Sequence, residues 1–290
     1  MAIPMQLFFL IMTQGLLSPI GATLRSSSPL DLGYRQMYNL EFGAAHKTFE
    51  NYQQAHGDDP FGPTSDAAAY LFGELDRLGV LQSDLFVDDE SFKGRDKPSP
   101  DPDVRKNFNQ AIPRSQRAAD AILRHSPGDR NALFATVLNL GLQCDYLALI
   151  EKRDLASLAY AKRAGQTAEK LLAVDPTCYD AYLATGFENY ILGLNPAPVR
   201  WLLRLYGAET DRDLGVRNLQ LTATKGHYLL PFARLLLAVA ALRERDREAA
   251  MELLQNLAQE FPKNQLYKRE LSRLRRAPIA RAESRMKWNP

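Results

Sequence analysis

Hydrophobic positions recur at helical spacing along most of the chain, and the runs stop at prolines. Residues 229–262 are the clearest case: an apolar helix, a polar turn, an amphipathic helix and a closing proline. Similar closures occur over 161–176 and 111–127. Apolar residues three and four apart predict helices, and a following proline marks a helix end. Helical hairpins of one design bury their faces by stacking on neighbours. The pattern therefore predicts a solenoid of helical hairpins.

The same reasoning assigns further helices. They are periodic runs bounded by caps, glycines or prolines, and they cover 34–54 (a hairpin that turns near 41–43), 65–78, 131–153, 154–174 and 177–192. The run 131–153 leaves little polar surface, so we expect it at the centre of the array. Alternation of polar and apolar residues is absent, and Leu and Ala dominate, so no strand is predicted. The predicted fold class is all-α.

The predicted domain plan has four parts. Residues 1–22 are a signal peptide with cleavage near Ala22, although no Lys or Arg precedes the apolar run; a mis-assigned start or an N-terminal anchor is the alternative. A polar linker covers 23–33, the solenoid covers 34–276, and a basic tail covers 277–290. Within the solenoid we expect an acidic, proline-rich loop at 88–103 and an inserted helix at 196–207. Export would place the protein in a bacterial periplasm or outside the cell; without export we expect it in the cytoplasm.

The closures resemble those of tetratricopeptide repeats, whose units pair two helices over about 34 residues. That family has a small residue and a bulky one four positions later in the second helix, and a proline at its exit. The matching sets are Ala250, Leu254 and Pro262; Ala45, Phe49 and a delayed Pro60; and Ala164, Ala168 and Pro176. Gly186 and Ala238 match the small residue of the first helix. The family's tryptophan is missing, and the closing prolines are 49 and 86 residues apart, so the array is degenerate. The resemblance implies a right-handed solenoid.

The order of helices in the last third of the chain makes this resemblance more specific. A small-residue helix around Gly186 is followed by a proline-initiated helix at 198–206, then by Gly215, Leu219 and Gly226 before the final hairpin. This order is similar to the mitochondrial outer-membrane and inclusion-body-clearance family of eukaryotic tetratricopeptide-repeat proteins, and to bacterial chains of like design. The resemblance implies the fold and an interaction role.

Charge argues against one class of partner. The formal net charge is +2 over 290 residues, whereas dedicated nucleic-acid binders carry a strong basic excess. The charge is uneven, with twelve acidic and four basic residues at 58–103, and nine basic and two acidic residues at 263–290. A solvated loop and a solvated tail are the plainer interpretation. The alternatives are that the tail touches anionic lipid, or that the two segments attract each other.

No catalytic, metal or cofactor site is predicted. The four histidines lack metal-ligand spacing, and His46 and His56 are expected at the surface. The acidic cluster at 84–90 lacks the glycine that an EF-hand calcium loop requires, and no GxSxG elbow is present. Cys144 and Cys178 fall at different heights of stacked helices, so two separate buried thiols are expected. An enzyme with a cryptic site has no motif in its favour.

The predicted binding surface is the first-helix face that lines the concave side of the array. Partner peptides in this repeat family are usually bound by that helix. Counting from the closing prolines, the matching positions are Phe134, Leu138, Leu183, Phe187, Tyr190, Leu235, Val239 and Arg243. Exposed, such an apolar stripe marks an interface. The alternative is that the helix at 198–206 already fills the groove.

Two hypotheses of function follow. The first is a non-enzymatic scaffold or adaptor that binds a protein or peptide. The second is a peripheral membrane protein, in which Trp201 and the arginines of 198–206 meet lipid headgroups; core packing of that segment is the plainer interpretation. No nucleic-acid partner and no cofactor are expected.

Overall fold

The computed structural model describes residues 28–80, 99–193 and 211–276, which form eleven α-helices without a strand. The all-α prediction is therefore confirmed. In chain order the helices are α1 (Pro29–Tyr38), α2 (Phe42–Ala55), α3 (Phe61–Arg77), α4 (Pro102–His125), α5 (Arg130–Asp145), α6 (Asp154–Val174), α7 (Tyr182–Gly193), α8 (Arg212–Lys225), α9 (Leu230–Arg243), α10 (Arg247–Glu260) and α11 (Gln265–Arg276). A π-helical turn, Tyr146–Ile150, follows α5, and a 3-10 turn, Tyr179–Ala181, precedes α7.

Local signals end and begin these helices. The closing prolines at 127, 176 and 262 each lie two residues past the end of α4, α6 and α10. Proline cannot donate the next helical hydrogen bond, and it disfavours a helical residue before it. Aspartates open several helices: Asp129 accepts from the backbone N–H of Ala132 at 2.9 Å, and Asp246 accepts from Ala249 at 3.0 Å. Such caps satisfy N–H groups that the helix leaves unpaired.

The helices stack in sequence. Each helix packs against the next along the chain, from α1 to α11, and α3 also packs on α1 and α5. Consecutive packing of this kind is the arrangement expected of a helical repeat. Residues of α1, α3, α5, α7 and α9 line a shared interior, to which α6 adds Ala161 and Ala164. The odd-numbered helices from α1 to α9 therefore form the inner layer.

The first described helix meets the segments around the last three described helices. The hydroxyl of Tyr38 donates to the backbone oxygen of Tyr228 at 2.9 Å, and the Asn264 side chain donates to the backbone oxygen of Tyr38 at 2.8 Å. The rings of Tyr34 and Tyr228 lie 4.6 Å apart, centroid to centroid. Tyr38 also packs on Phe261 at 5.4 Å. These contacts join residues 190 and 226 positions apart. The first hairpin thus closes one side of the concave interior.

Some predicted boundaries are wrong. The linker expected at 23–33 ends by Ser28, because Ser28 and Asp31 form a capping box that starts α1 at Pro29. The single helix expected at 131–153 stops at Asp145 and passes into the π-helical turn. The loop expected at 88–103 gives way to α4 at Pro102. By contrast, the helix predicted at 154–174 has the bounds of α6.

Several predicted segments lie outside the described residues. They are the signal peptide at 1–22, most of the loop at 88–103, the inserted helix at 196–207 with Trp201, and the basic tail at 277–290. The segment Arg130–Ile150 is apolar and long enough to cross a membrane, with a mean hydropathy of 1.5 over 18 residues. Of that window, 61% is buried inside the protein, as in a central core helix.

Two glycines, Gly186 and Gly215, allow α7 and α8 to approach each other closely. A Cβ atom at Gly215 would lie 2.6 Å from the backbone nitrogen of Tyr190 and 2.9 Å from the backbone oxygen of Gly186. Backbone atoms cannot yield as a flexible side chain can. We expect Gly215→Ala to lower the free energy of unfolding by about 2 kcal/mol, measured by urea denaturation. Gly141→Ala is the control, because a Cβ there meets nothing within 4 Å and alanine favours the helix. Equal stability of the two variants would contradict the close packing.

Candidate functional site

The inner layer encloses a partly open cavity of about 80 Å³, here called the inner cavity. Its wall is mainly apolar and carries several aromatic rings, which belong to Tyr34, Tyr38, Phe72, Phe187 and Phe232. This volume counts the space open to the centre of a water molecule, and about 10–15 Å³ of such space holds one water. The inner cavity therefore has room for an aliphatic side chain. The cavity lies where α1 and α3 of the amino-terminal end face α7 and α9.

Three of the predicted partner-binding residues line this cavity together. Leu138 comes from α5, and Leu183 and Phe187 come from α7. Both α7 residues are half-buried, so part of each side chain remains accessible. The helical spacing that suggested these positions therefore does bring them to one surface.

The other predicted positions lie elsewhere. Phe134 is buried against Phe61, with ring centroids 5.4 Å apart. Tyr190 is buried, and the guanidinium of Arg212 lies 5.9 Å from its ring centroid. The remaining three positions are half-buried on α9 and are not part of the cavity wall: Leu235, Val239 and Arg243.

Asp180 is a buried carboxylate that organises one end of the cavity. It sits in the 3-10 turn before α7 and is 5% exposed. Its oxygens accept from the backbone N–H groups of His227, Tyr228 and Leu229 at 2.7, 2.8 and 3.2 Å. Leu229, the residue that precedes α9, has no capping side chain of its own. Burial raises the pKa of Asp180, and the three N–H donors oppose that rise. Asp180 thus fixes the three residues that lead into α9 and holds Tyr228 in position beside α1.

Asp145 is the second carboxylate in the wall. It ends α5 and lies on the same helical face as Leu138 and Gly141, seven and four residues earlier. Burial raises the pKa of Asp145 to about 7, and no other group contributes to that shift. Within the described ranges, no group donates a hydrogen bond to its carboxylate. Asp145 is therefore a half-buried acid in mainly apolar surroundings, without a partner among the described residues.

Two further polar groups complete the wall. The hydroxyl oxygen of Thr64 is buried and has no hydrogen-bond partner among the described residues. The thiol of Cys144 is buried, and burial raises its pKa, so it stays protonated. Both cysteines are free, which confirms the prediction of separate thiols, but Cys178 is half-buried rather than buried.

The histidine prediction is wrong at His46. Its ring nitrogen Nδ1 lies 2.5 Å from Asp66 and its ring stacks at 4.0 Å on Tyr70, so it is a partly buried structural group. His56 and His125 are exposed, as is His227, whose Nε2 lies 2.7 Å from the buried Asp31. Among the residues that the structure describes, no three His, Cys, Asp or Glu side chains gather as metal ligands would.

Comparison with protein-family models, with curated proteins and with solved structures gives no match to this chain. A function for this chain is therefore inferred from the residues of the inner cavity. A fold shared by many proteins does not determine what one of them binds, whereas the residues of a site do.

Sequence reasoning passed over both cavity aspartates. A usable signal was present for Asp145, the only acidic residue in the run NALFATVLNLGLQCD. Extending the stripe of Phe134 and Leu138 by helical steps reaches Gly141 and then Asp145. A charged residue on an otherwise apolar face is unusual and points to a site or a buried pair. No local pattern indicates that Asp180 reaches a loop some 47 residues later.

Proposed function

We propose that this chain is a non-enzymatic tetratricopeptide-like scaffold of right-handed hairpins whose inner cavity receives an apolar segment of a protein partner. The single observation that carries the proposal is the partly open apolar cavity in the inner layer. It occupies the first-helix face with which this kind of repeat binds peptides. Concave apolar sites with few polar groups are the usual form of a binding site. Export, expected from residues 1–22, stays a prediction.

The polar groups of the cavity support binding over catalysis. General acid–base work with two carboxylates needs both of them free to exchange protons with a substrate. Asp180 instead uses its oxygens to hold three backbone N–H groups. A nucleophilic cysteine needs a lowered pKa, whereas burial raises that of Cys144.

Gly141 offers a direct way to block the cavity. It lines the wall on α5, and a Cβ atom there meets nothing within 4 Å, so a leucine side chain can enter the open space. We expect peptides selected from a phage-displayed random library on the wild-type chain to bind Gly141→Leu at least about ten-fold more weakly, since ten-fold is only about 1.4 kcal/mol of lost apolar contact. Affinity is measured by fluorescence polarisation.

Gly43→Leu is the matched control. Gly43 is exposed near the start of α2, and a Cβ there also meets nothing within 4 Å. This variant makes the same chemical change away from the cavity, and peptide affinity should not change. Circular dichroism and the thermal midpoint verify that both variants fold. Peptides that bind Gly141→Leu as tightly as the wild type would rule out the inner cavity as the binding site.

A further inference from the structure

The wall of the inner cavity carries negative charge without a compensating cation. Its ionisable groups are two aspartates, two tyrosines and one thiol; none of the described lining residues is Lys, Arg or His. The Asp180 carboxylate is already hydrogen-bonded to backbone N–H groups. Asp145 is the carboxylate left for a ligand, and the burial of this group opposes its ionisation.

A ligand with a positive charge would offset the free-energy cost of ionising Asp145 in the cavity. A charge in apolar surroundings is costly unless it is paired, and a salt bridge needs further hydrogen bonds to be stable there. An ammonium has three N–H donors. The inner cavity offers it the carboxylate of Asp145, whose two oxygens can both accept from the ammonium.

We infer that the inner cavity binds a lysine side chain of the partner segment, with the aliphatic stem against the apolar wall and the ammonium at Asp145. This inference rests on the proposed function and names the chemistry of its ligand. Lysine fits because its four-carbon stem is apolar and its charge is concentrated at the end. A cavity of about 80 Å³ matches one unbranched side chain better than a whole helix face.

The minimal probes are n-octylammonium, 1-octanol and octanoate, which share one aliphatic chain and differ in the head group. Isothermal titration calorimetry at pH 8 should show n-octylammonium binding the wild type at least ten-fold tighter than 1-octanol, with octanoate weakest. In Asp145→Asn the preference for the ammonium over the alcohol should fall to within two-fold. Asp145→Asn keeps the shape of the side chain, so a change in preference reports the charge.

A peptide pair tests whether the cation belongs to a protein. Acetyl-Leu-Lys-Leu-amide should bind the wild type more tightly than the same peptide with norleucine in place of lysine, as followed by NMR titration. The difference should vanish in Asp145→Asn. If n-octylammonium is preferred but the lysine peptide is not, a free amine is the ligand and the lysine assignment is overturned.

The outcomes separate this inference from the proposed function. If 1-octanol binds and Gly141→Leu blocks it, but the ammonium gains nothing over the alcohol, the cavity is a binding site and the lysine inference is wrong. If the ammonium preference persists in Asp145→Asn, Asp145 is not its partner, and the inference is also wrong. If no probe binds in a manner that Gly141→Leu blocks, both the inference and the proposed function fail.

Discussion

Replacing Asp180 with alanine is expected to lower the free energy of unfolding by about 4 kcal/mol, the largest effect of any single change considered. The variant leaves the N–H groups of His227, Tyr228 and Leu229, which precede α9, without the buried carboxylate that accepts from them. An unsatisfied buried donor costs about 1–3 kcal/mol, and a small cavity adds to the loss. Urea denaturation followed by far-ultraviolet circular dichroism measures the change.

Asp246→Ala is the matched control for this prediction. Asp246 is an exposed aspartate that caps α10 through the N–H of Ala249. Losing an ordinary cap of this kind costs about 1 kcal/mol. Asp180→Asn should fall between the two alanine variants, because an amide oxygen still accepts but without charge. If Asp180→Ala costs no more than Asp246→Ala, Asp180 does not hold the segment before α9 against α1.

Asp145→Asn is expected to stabilise the protein at pH 8 by about 3 kcal/mol and by less than half of that at pH 5. Burial raises the pKa of Asp145 to about 7, above its value of about 3.9 in an unfolded chain. The folded protein therefore binds this proton more tightly than the unfolded chain does. The wild type loses stability as pH rises from about 4 to about 7, and the penalty is complete above that range. Asparagine carries no charge and avoids the penalty.

The control for Asp145→Asn is the same substitution at a solvent-exposed aspartate. Asp213 is exposed in the first turn of α8, and Asp213→Asn should change stability little and equally at both pH values. Besides Asp145, the ionisable residues of the cavity wall are Tyr34, Tyr38, Cys144 and Asp180. These four residues are present in both the wild type and Asp145→Asn, so their titration cancels in the difference in stability between the two proteins. A stabilisation that is the same at pH 5 and pH 8 would show that Asp145 is not a buried acid.

Helix positions were predictable because their signals are local. A proline two residues past α4, α6 and α10 stops each helix by its own covalent geometry, whatever the rest of the chain does. The end of α6 followed directly from this rule. The boundary of α5 did not, because the π-helical turn at Tyr146–Ile150 continues the same apolar run with a different hydrogen-bond pattern.

The contact of α1 with the residues around α9 and α10 could not be predicted from such signals. In the sequence, Tyr34 and Tyr38 have the spacing of ordinary core residues of an amphipathic helix. Their contacts with Tyr228 and Phe261 depend on how the described helices pack together. The candidate site shares this limit. Helical spacing placed Leu138, Leu183 and Phe187 on an inner face, but the enclosure of that face by α1 is a property of the whole fold.

The central claim is that the cavity between the first and last hairpins is the surface that binds apolar groups. Methyl NMR of the full chain, with labelled leucines and added 1-octanol, tests it most directly. The account predicts intermolecular nuclear Overhauser effects and shifts at the methyl groups of Leu138 and Leu183, which line the inner cavity. Leu155 on α6 is 86% exposed and should be unaffected. Effects at Leu155 with none at Leu138 and Leu183 would contradict the account.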